Sequence, residues 1–225
     1  MKKQVAVIGL GRFGSSIAKS LYNLGHDVLT IDKDPSRVQS VMGKATHSIA
    51  GDATQESVLR ELGINDYDVA IVSIGTDIVA SIMTSVLLKT MGVPMIVSRA
   101  SNDLHGNTLE RIGVDRVIHI ESEMGTRLAH SLFKPNVQEY IEVTSNFGIS
   151  KVRVPKRFVN MTLKELGFSN PRDKNGLAVL AISRGKDITL NPDIEDKLQN
   201  NDWLVLSGTD DLLDKLDLVH DNEAS

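Results

Sequence analysis

Through the first 120 positions, short apolar runs alternate with stretches whose apolar residues recur at helical spacing; beyond them the rhythm changes. Val5-Ala6-Val7-Ile8 and Val28-Leu29-Thr30-Ile31 read as the first two strands, followed by 46–50, 68–74, 94–98 and 113–120. The run at 68–74 is apolar almost without interruption, as in a parallel strand covered on both faces. Helices are predicted over 12–24, from Pro35 to about residue 42, through Val58, Leu59 and Leu62, over 77–91, and through His105, Leu109 and Ile112. Pro35 suits a first helical position, Asp52 or Thr54 offers a cap for the third helix, and Gly63 is a stop signal. The helix at 77–91 carries Ile78, Val79, Ile82, Met83, Val86 and Leu87. That stripe predicts packing on the sheet, with a second subunit as the alternative surface.

Strand and helix alternating at this spacing predict an α/β fold, a Rossmann-like doubly wound parallel sheet of about six strands. A further helix is expected over 122–133, with Met124, Leu128 and Leu132 on one face. Around Pro135 the texture shifts to short strands at 137–143, 150–154, 177–182, 188–190 and 203–206. Small helices are expected near 162–166 and 210–218, and Arg184-Gly185-Lys186-Asp187 reads as a hairpin turn. The expected organisation is a nucleotide-binding lobe over 1–120, a helix over 121–134, a small α+β lobe over 135–219, and a disordered acidic tail over 220–225.

The chemistry gathers at the first strand–helix junction. Gly9-Leu10-Gly11-Arg12-Phe13-Gly14 follows an apolar run and opens a helix, and Asp32 ends the next run. Strand before, helix after and an acid about twenty residues on make this a dinucleotide-binding pattern, where the glycines alone would not. Gly9 permits the tight turn, Gly11 leaves room for a phosphate, and Gly14 lets the helix approach the sheet. The helix then directs free N–H groups and its positive end at the phosphates. Asp32 can accept hydrogen bonds from ribose hydroxyls and would repel a 2′-phosphate. Arg12 is a cation where the helix dipole disfavours one, so it calls for an anion or for solvent.

Composition narrows the partners. The chain has 225 residues, a net charge of −4, a pI near 5.9 and no cysteine. Acidity without a basic run argues against nucleic-acid binding, and the lack of thiols excludes disulfides and thiolate chemistry. Met1-Lys2-Lys3 precedes an apolar run that Gly9 and Arg12 cut short of a signal peptide. No segment approaches the roughly twenty apolar residues of a membrane span. A soluble chain is expected.

Taken together, residues 6–14, Gly51-Asp52-Ala53-Thr54, Ile112-Gly113-Val114-Asp115 and His119-Ile120-Glu121-Ser122-Glu123-Met124-Gly125 resemble the RCK (KTN) family. The match is specifically to the cytosolic Trk/Ktr-type regulatory subunits of bacterial potassium uptake systems. The resemblance implies an adenine-nucleotide site taking ATP or ADP, or NAD(H) in Trk-type members. It also implies a crossover helix at 122–133 and a TrkA-C type C-lobe. By position it implies Arg12 at a terminal phosphate and Asp32, with Lys33 and Asp34 beside it, at the ribose. Asp52, Ala53, Thr54, Ile74, Gly75 and Thr76 fall at adenosine, and Arg99, Ala100, Ser101 and His105 on the phosphate side. Glu121 falls at the acid that helps hold Mg²⁺, Ca²⁺ or Na⁺ with the nucleotide.

The implied partners are a second copy, an octameric ring and an integral-membrane potassium-translocating subunit, with the chain cytoplasmic and peripheral at the inner membrane face. Some members bind cyclic di-AMP in the C-lobe. The segment at 167–176 departs from the shorter, arginine-containing pattern of such binders and speaks against it here.

Two other functions lack the residues they require. An NAD-dependent oxidoreductase needs an acid–base group beside the nicotinamide, and the C-terminal part offers no such constellation. A nucleotide-sensing transcription factor needs a basic recognition helix, and none is present. The expectation is a non-enzymatic gating subunit.

Overall fold

β1 (Gln4–Ile8) lies inside the first sheet, paired in parallel with β2 (Asp27–Asp32) on one side and β4 (Val69–Val72) on the other. With β3 (His47–Ala50), β5 (Ile96–Arg99) and β6 (Arg116–Ile118) the order is β3-β2-β1-β4-β5-β6, all parallel. The order reverses between β1 and β4, which opens a crevice at the carboxyl ends of those strands. The structure is a computed structural model that describes residues 1–132, 136–144, 146–168 and 176–214. The chain divides into two compact units, Met1–Glu121 and Ser122–Ser225.

Alternation along β1 gives the sheet its two cores. Ala6 and Ile8 pack with Leu29, Ile31, Leu59 and Ile96, while Val5 and Val7 pack with Ala18, Val28 and Ile71. The covering helices are α1 (Arg12–Asn23), α2 (Pro35–Ser40), α3 (Glu56–Glu61), α4 (Ile78–Thr90) and α5 (Asp103–Arg111). In α1 only Gly14 and Ala18 are buried. A Cβ on Gly14 would collide with the Gly9 carbonyl oxygen and Ser73 Oγ, so glycine sets how closely α1 meets the sheet. Gly9 itself sits at φ +91°, where a side chain is strained.

Two local expectations are corrected. Neither Asp52 nor Thr54 caps α3: Asp52 Oδ1 instead accepts from the Thr54 amide and hydroxyl, closing a turn ahead of the N-cap Gln55. In α4 only part of the apolar stripe faces the sheet. Ser81, Thr84, Ser85 and Leu88 are buried and Leu87 packs against the same core, while Ile78, Val79, Met83 and Val86 are 37%, 67%, 47% and 41% exposed. Small side chains let this helix lie close to β5, where Ser85 Oγ meets Ser98 Oγ at 3.0 Å. Ile78, Val79, Met83 and Val86 are thereby turned outward.

In the second unit, β7 (Val137–Thr144), β8 (Phe147–Arg153), β9 (Leu177–Arg184), β10 (Asp187–Leu190) and β11 (Trp203–Thr209) form an antiparallel sheet ordered β10-β9-β11-β8-β7. Its core joins Val152, Leu163, Ile182, Leu198, Leu204 and Leu206. Gly185, at φ +62°, and Lys186 close the expected hairpin, with Arg184 opposite Asp187. The helix expected near 162–166 is a turn instead. Thr162 and Glu165 bond reciprocally, but Thr162 is drawn into a bridge with Lys197 and the helix does not propagate. α6 (Ile120–Leu132) realises the predicted long helix. α7 (Asp210–Asp214) is described only to residue 214, so the remainder of the helix expected to 218 and the acidic tail lie outside the described residues.

The packing of α1 predicts an asymmetry between two glycines. Gly14→Ala should lower the unfolding free energy of the first unit by about 1–3 kcal/mol in urea, as overpacking does. Gly11→Ala, whose Cβ would meet no atom within 4 Å, should cost under about 1 kcal/mol. Equal losses would contradict the packing account.

Candidate functional site

The crevice at the switch point is a cavity of about 540 Å³ in the first unit. Gly9, Gly11, Arg12 and Phe13 form one wall. Gly14 lies beneath that wall rather than in it, packed on Gly9 and Ser73. Gly11 is the N-cap of α1 and supplies no side-chain bond to the helix, and no acidic residue stands in its first turn. By contrast, Asp34, Asp77 and Asn102 cap α2, α4 and α5 through their side chains. The uncapped, positive end of α1 therefore remains available to an anion.

Asp32 and Lys33 reach the cavity from the end of β2. Asp32 is only 6% exposed. Its Oδ2 accepts from the Leu10 amide at 2.6 Å and its Oδ1 from the Asp34 amide at 2.9 Å. The acid thus fastens the glycine loop to β2 while one edge still faces the cavity. Arg37 lines the same end, 3.6 Å from Asp32 and from Asp34. Asp34 lies outside the wall because it caps α2. Hydrogen bonds from the Ser36 hydroxyl and amide hold its carboxyl below the usual carboxylate range.

Asp52, Ala53 and Thr54 line the cavity beyond β3, and Ile74, Gly75 and Thr76 beyond β4. The Asp52 carboxyl is lowered by hydrogen bonds from the Thr54 hydroxyl and amide. Ser73 Oγ donates to the Gly9 carbonyl, tying the ends of β1 and β4 together. Arg99 and Glu121 close the far side and pair with each other.

Ala100, Ser101 and His105, expected on the phosphate side, lie outside the wall. Ala100 and His105 are each 2% exposed. His105 Nδ1 accepts from the Ser101 amide at 3.2 Å, which places the proton of the neutral ring on Nε2. Burial, and secondarily His119, push the His105 pKa down and disfavour its cationic form. Among the described residues no three His, Asp or Glu side chains gather into a metal-holding cluster.

Seven lining residues carry no expectation as ligands from the sequence: Ile8, Ser16, Ile31, Arg37, Ser73, Asp77 and Ile120. Ser16 lies four positions after Arg12, hence on the same helix face, a signal the pattern did contain. Arg37 and Ser73 carried none, because each is brought in by a turn or by sheet register. The assembled wall offers backbone donors, four cations (Arg12, Lys33, Arg37, Arg99) and the carboxylates of Asp32, Asp52, Asp77 and Glu121, chemistry suited to a phosphorylated ligand with hydroxyl groups.

Comparison with known proteins gives a consistent assignment. The TrkA-N domain matches residues 5–120 and the TrkA-C domain residues 149–218. Ktr system potassium uptake protein A of Bacillus subtilis (strain 168) is 41% identical over 206 residues, 92% of this chain and 91% of its own. Protein C of the same system and organism is 39% identical over 209 residues, 93% of each chain. Among solved structures, the GsuK channel bound to NAD aligns with a TM-score of 0.66 at 16% identity, over 100% of this chain and 41% of that one. That likeness is one of fold. With both domains matched in order and such relatives aligned over nine-tenths of their length, the chain belongs to the RCK (KTN) family in its TrkA-N plus TrkA-C form.

Proposed function

We propose that this chain is the nucleotide-binding regulatory subunit of a potassium uptake system and performs no catalysis of its own. One observation carries the reading: the uncapped end of α1 opens, with Arg12, into a cavity that Arg99 closes from the opposite side. Helix donors and two guanidinium groups provide for phosphates. Asp32 with Lys33 and Asp34 would serve the ribose, and Asp52, Ala53, Thr54, Ile74, Gly75 and Thr76 the adenosine. The relatives' names supply the potassium system.

The ligand is read as ATP or ADP. NAD(H), which the solved GsuK channel binds, carries the same adenosine and is the second reading. Arg12 favours the former, since it is an exposed cation with no acid partner among the described residues and suits a terminal phosphate, in the ring one supplied by a neighbour. On the Arg99 side of the cavity a hard cation (Mg²⁺, Ca²⁺ or Na⁺) would find the Glu121 carboxylate, already opposite Arg99. It would need phosphate oxygens for its other positions, and no step below depends on it.

Among the described residues no helix is long and apolar enough to cross a membrane. By the names of its relatives, the chain would act with an integral-membrane potassium-translocating partner. The chain would sit peripherally on its cytoplasmic face. The outward stripe of α4 and the exposed Met124, Leu128 and Leu132 of α6 are surfaces on which copies would pair and build an octameric ring. In domain terms, 1–120 would read the nucleotide, 121–134 cross over, and 135–219 form the C-lobe. Cyclic di-AMP is not included, and most of the relevant segment, 169–175, lies outside the described residues. A nucleotide would act on such a ring only through a difference in affinity between its shapes.

Two outcomes follow. By calorimetry, Arg12→Ala should weaken ATP about tenfold and ADP far less; equal losses would remove Arg12 as a sensor of the third phosphate. In sedimentation velocity, Val79→Asp with Met83→Glu should reduce the size of the assembly. An unchanged sedimentation coefficient would remove α4 as a subunit interface.

A further inference from the structure

Arg99 and Glu121 form an ion pair of unequal partners. The Arg99 side chain is 22% exposed and that of Glu121 is 67% exposed. The guanidinium lies against Gly75, where an added Cβ would collide with Nη1. Nη2 donates to Glu121, while Nε is buried without an acceptor among the described residues. Arg99 is therefore the seated member, with donor capacity left over, and Glu121 is the member that can leave. Leaving costs Glu121 little, because as the second residue of α6 its charge is favoured there by the helix dipole.

Both groups line the cavity proposed to bind a nucleotide. A phosphate carries more charge and more acceptor oxygens than a carboxylate, and it matches the guanidinium fork better. We infer that Glu121 holds the phosphate position on Arg99 as an internal competitor, so that a phosphorylated ligand binds by taking Arg99 from it. Glu121 then tunes the site: it lowers affinity for ligands that use Arg99 and leaves unphosphorylated adenosine without that handicap. Each binding event also frees a carboxylate at the last residue of the first unit.

This inference rests on the nucleotide reading, and one experiment separates the two. ADP and adenosine are titrated by calorimetry into the full chain in buffer containing EDTA, so that no cation bridges Glu121 to phosphate. The proteins are wild type, Glu121→Gln, Arg99→Ala and the double variant. Glu121→Gln should raise the ratio of ADP to adenosine affinity by about threefold or more, and the rise should vanish in the Arg99→Ala background. A ratio that stays level or falls overturns the inference, as does an equal rise without Arg99, which would reflect general charge removal. Wild type binding neither ADP nor adenosine would overturn the nucleotide reading itself.

Discussion

The carboxylate of Asp32 accepts one hydrogen bond from the amide of Leu10 and another from that of Asp34. Through the first it holds the glycine loop, and through the second it shapes the turn that starts α2. An anion that is almost fully buried is tolerable only when its oxygens are so engaged. The Ser73 hydroxyl on the Gly9 carbonyl fixes the loop from the other side, across the gap between β1 and β4. Between these two anchors Gly14 leaves the space that lets α1 settle. The position of the α1 terminus, and hence of the helix donors aimed into the cavity, follows from them.

What those anchors create is an electrostatic demand. The first turn of α1 has neither a capping side chain nor an acid, and it begins with Arg12. Arg99 across the cavity is held by Glu121, an arrangement in which a fixed cation has a loosely held partner. Such a surface gains by taking up an anion. The proposed regulatory role draws on that gain, in a chain that also carries a TrkA-C domain.

Much of the first unit was legible because its signals are local. The apolar runs, Pro35, Gly63 and the glycine loop each act within a few residues, and all six strands and the helices between them follow from such cues. The inward and outward faces of α4 were not legible. Apolar content pointed Val79 and Met83 inward, whereas closeness of packing chose Ser81, Thr84 and Ser85 for the sheet. Fit at short range outweighed hydrophobicity, as it can when larger apolar residues have somewhere else to go. The site divided in the same way. Gly9, Gly11, Arg12 and Asp32 declare themselves by spacing, while Arg37, Ser73 and the pairing of Arg99 with Glu121 depend on which strand ends become neighbours. His105 lies off the cavity wall for a related reason: its position in the chain is close to the cavity, but it is buried in the first turn of α5.

Binding of an adenine nucleotide in the β1–β4 crevice can be read by hydrogen–deuterium exchange of the full chain, with and without ADP. Exchange should slow at residues 9–14, 32–34, 51–54 and 74–77, with the antiparallel sheet formed by β7 to β11 little changed. Protection absent from those four segments, or confined to positions beyond 136, would contradict it.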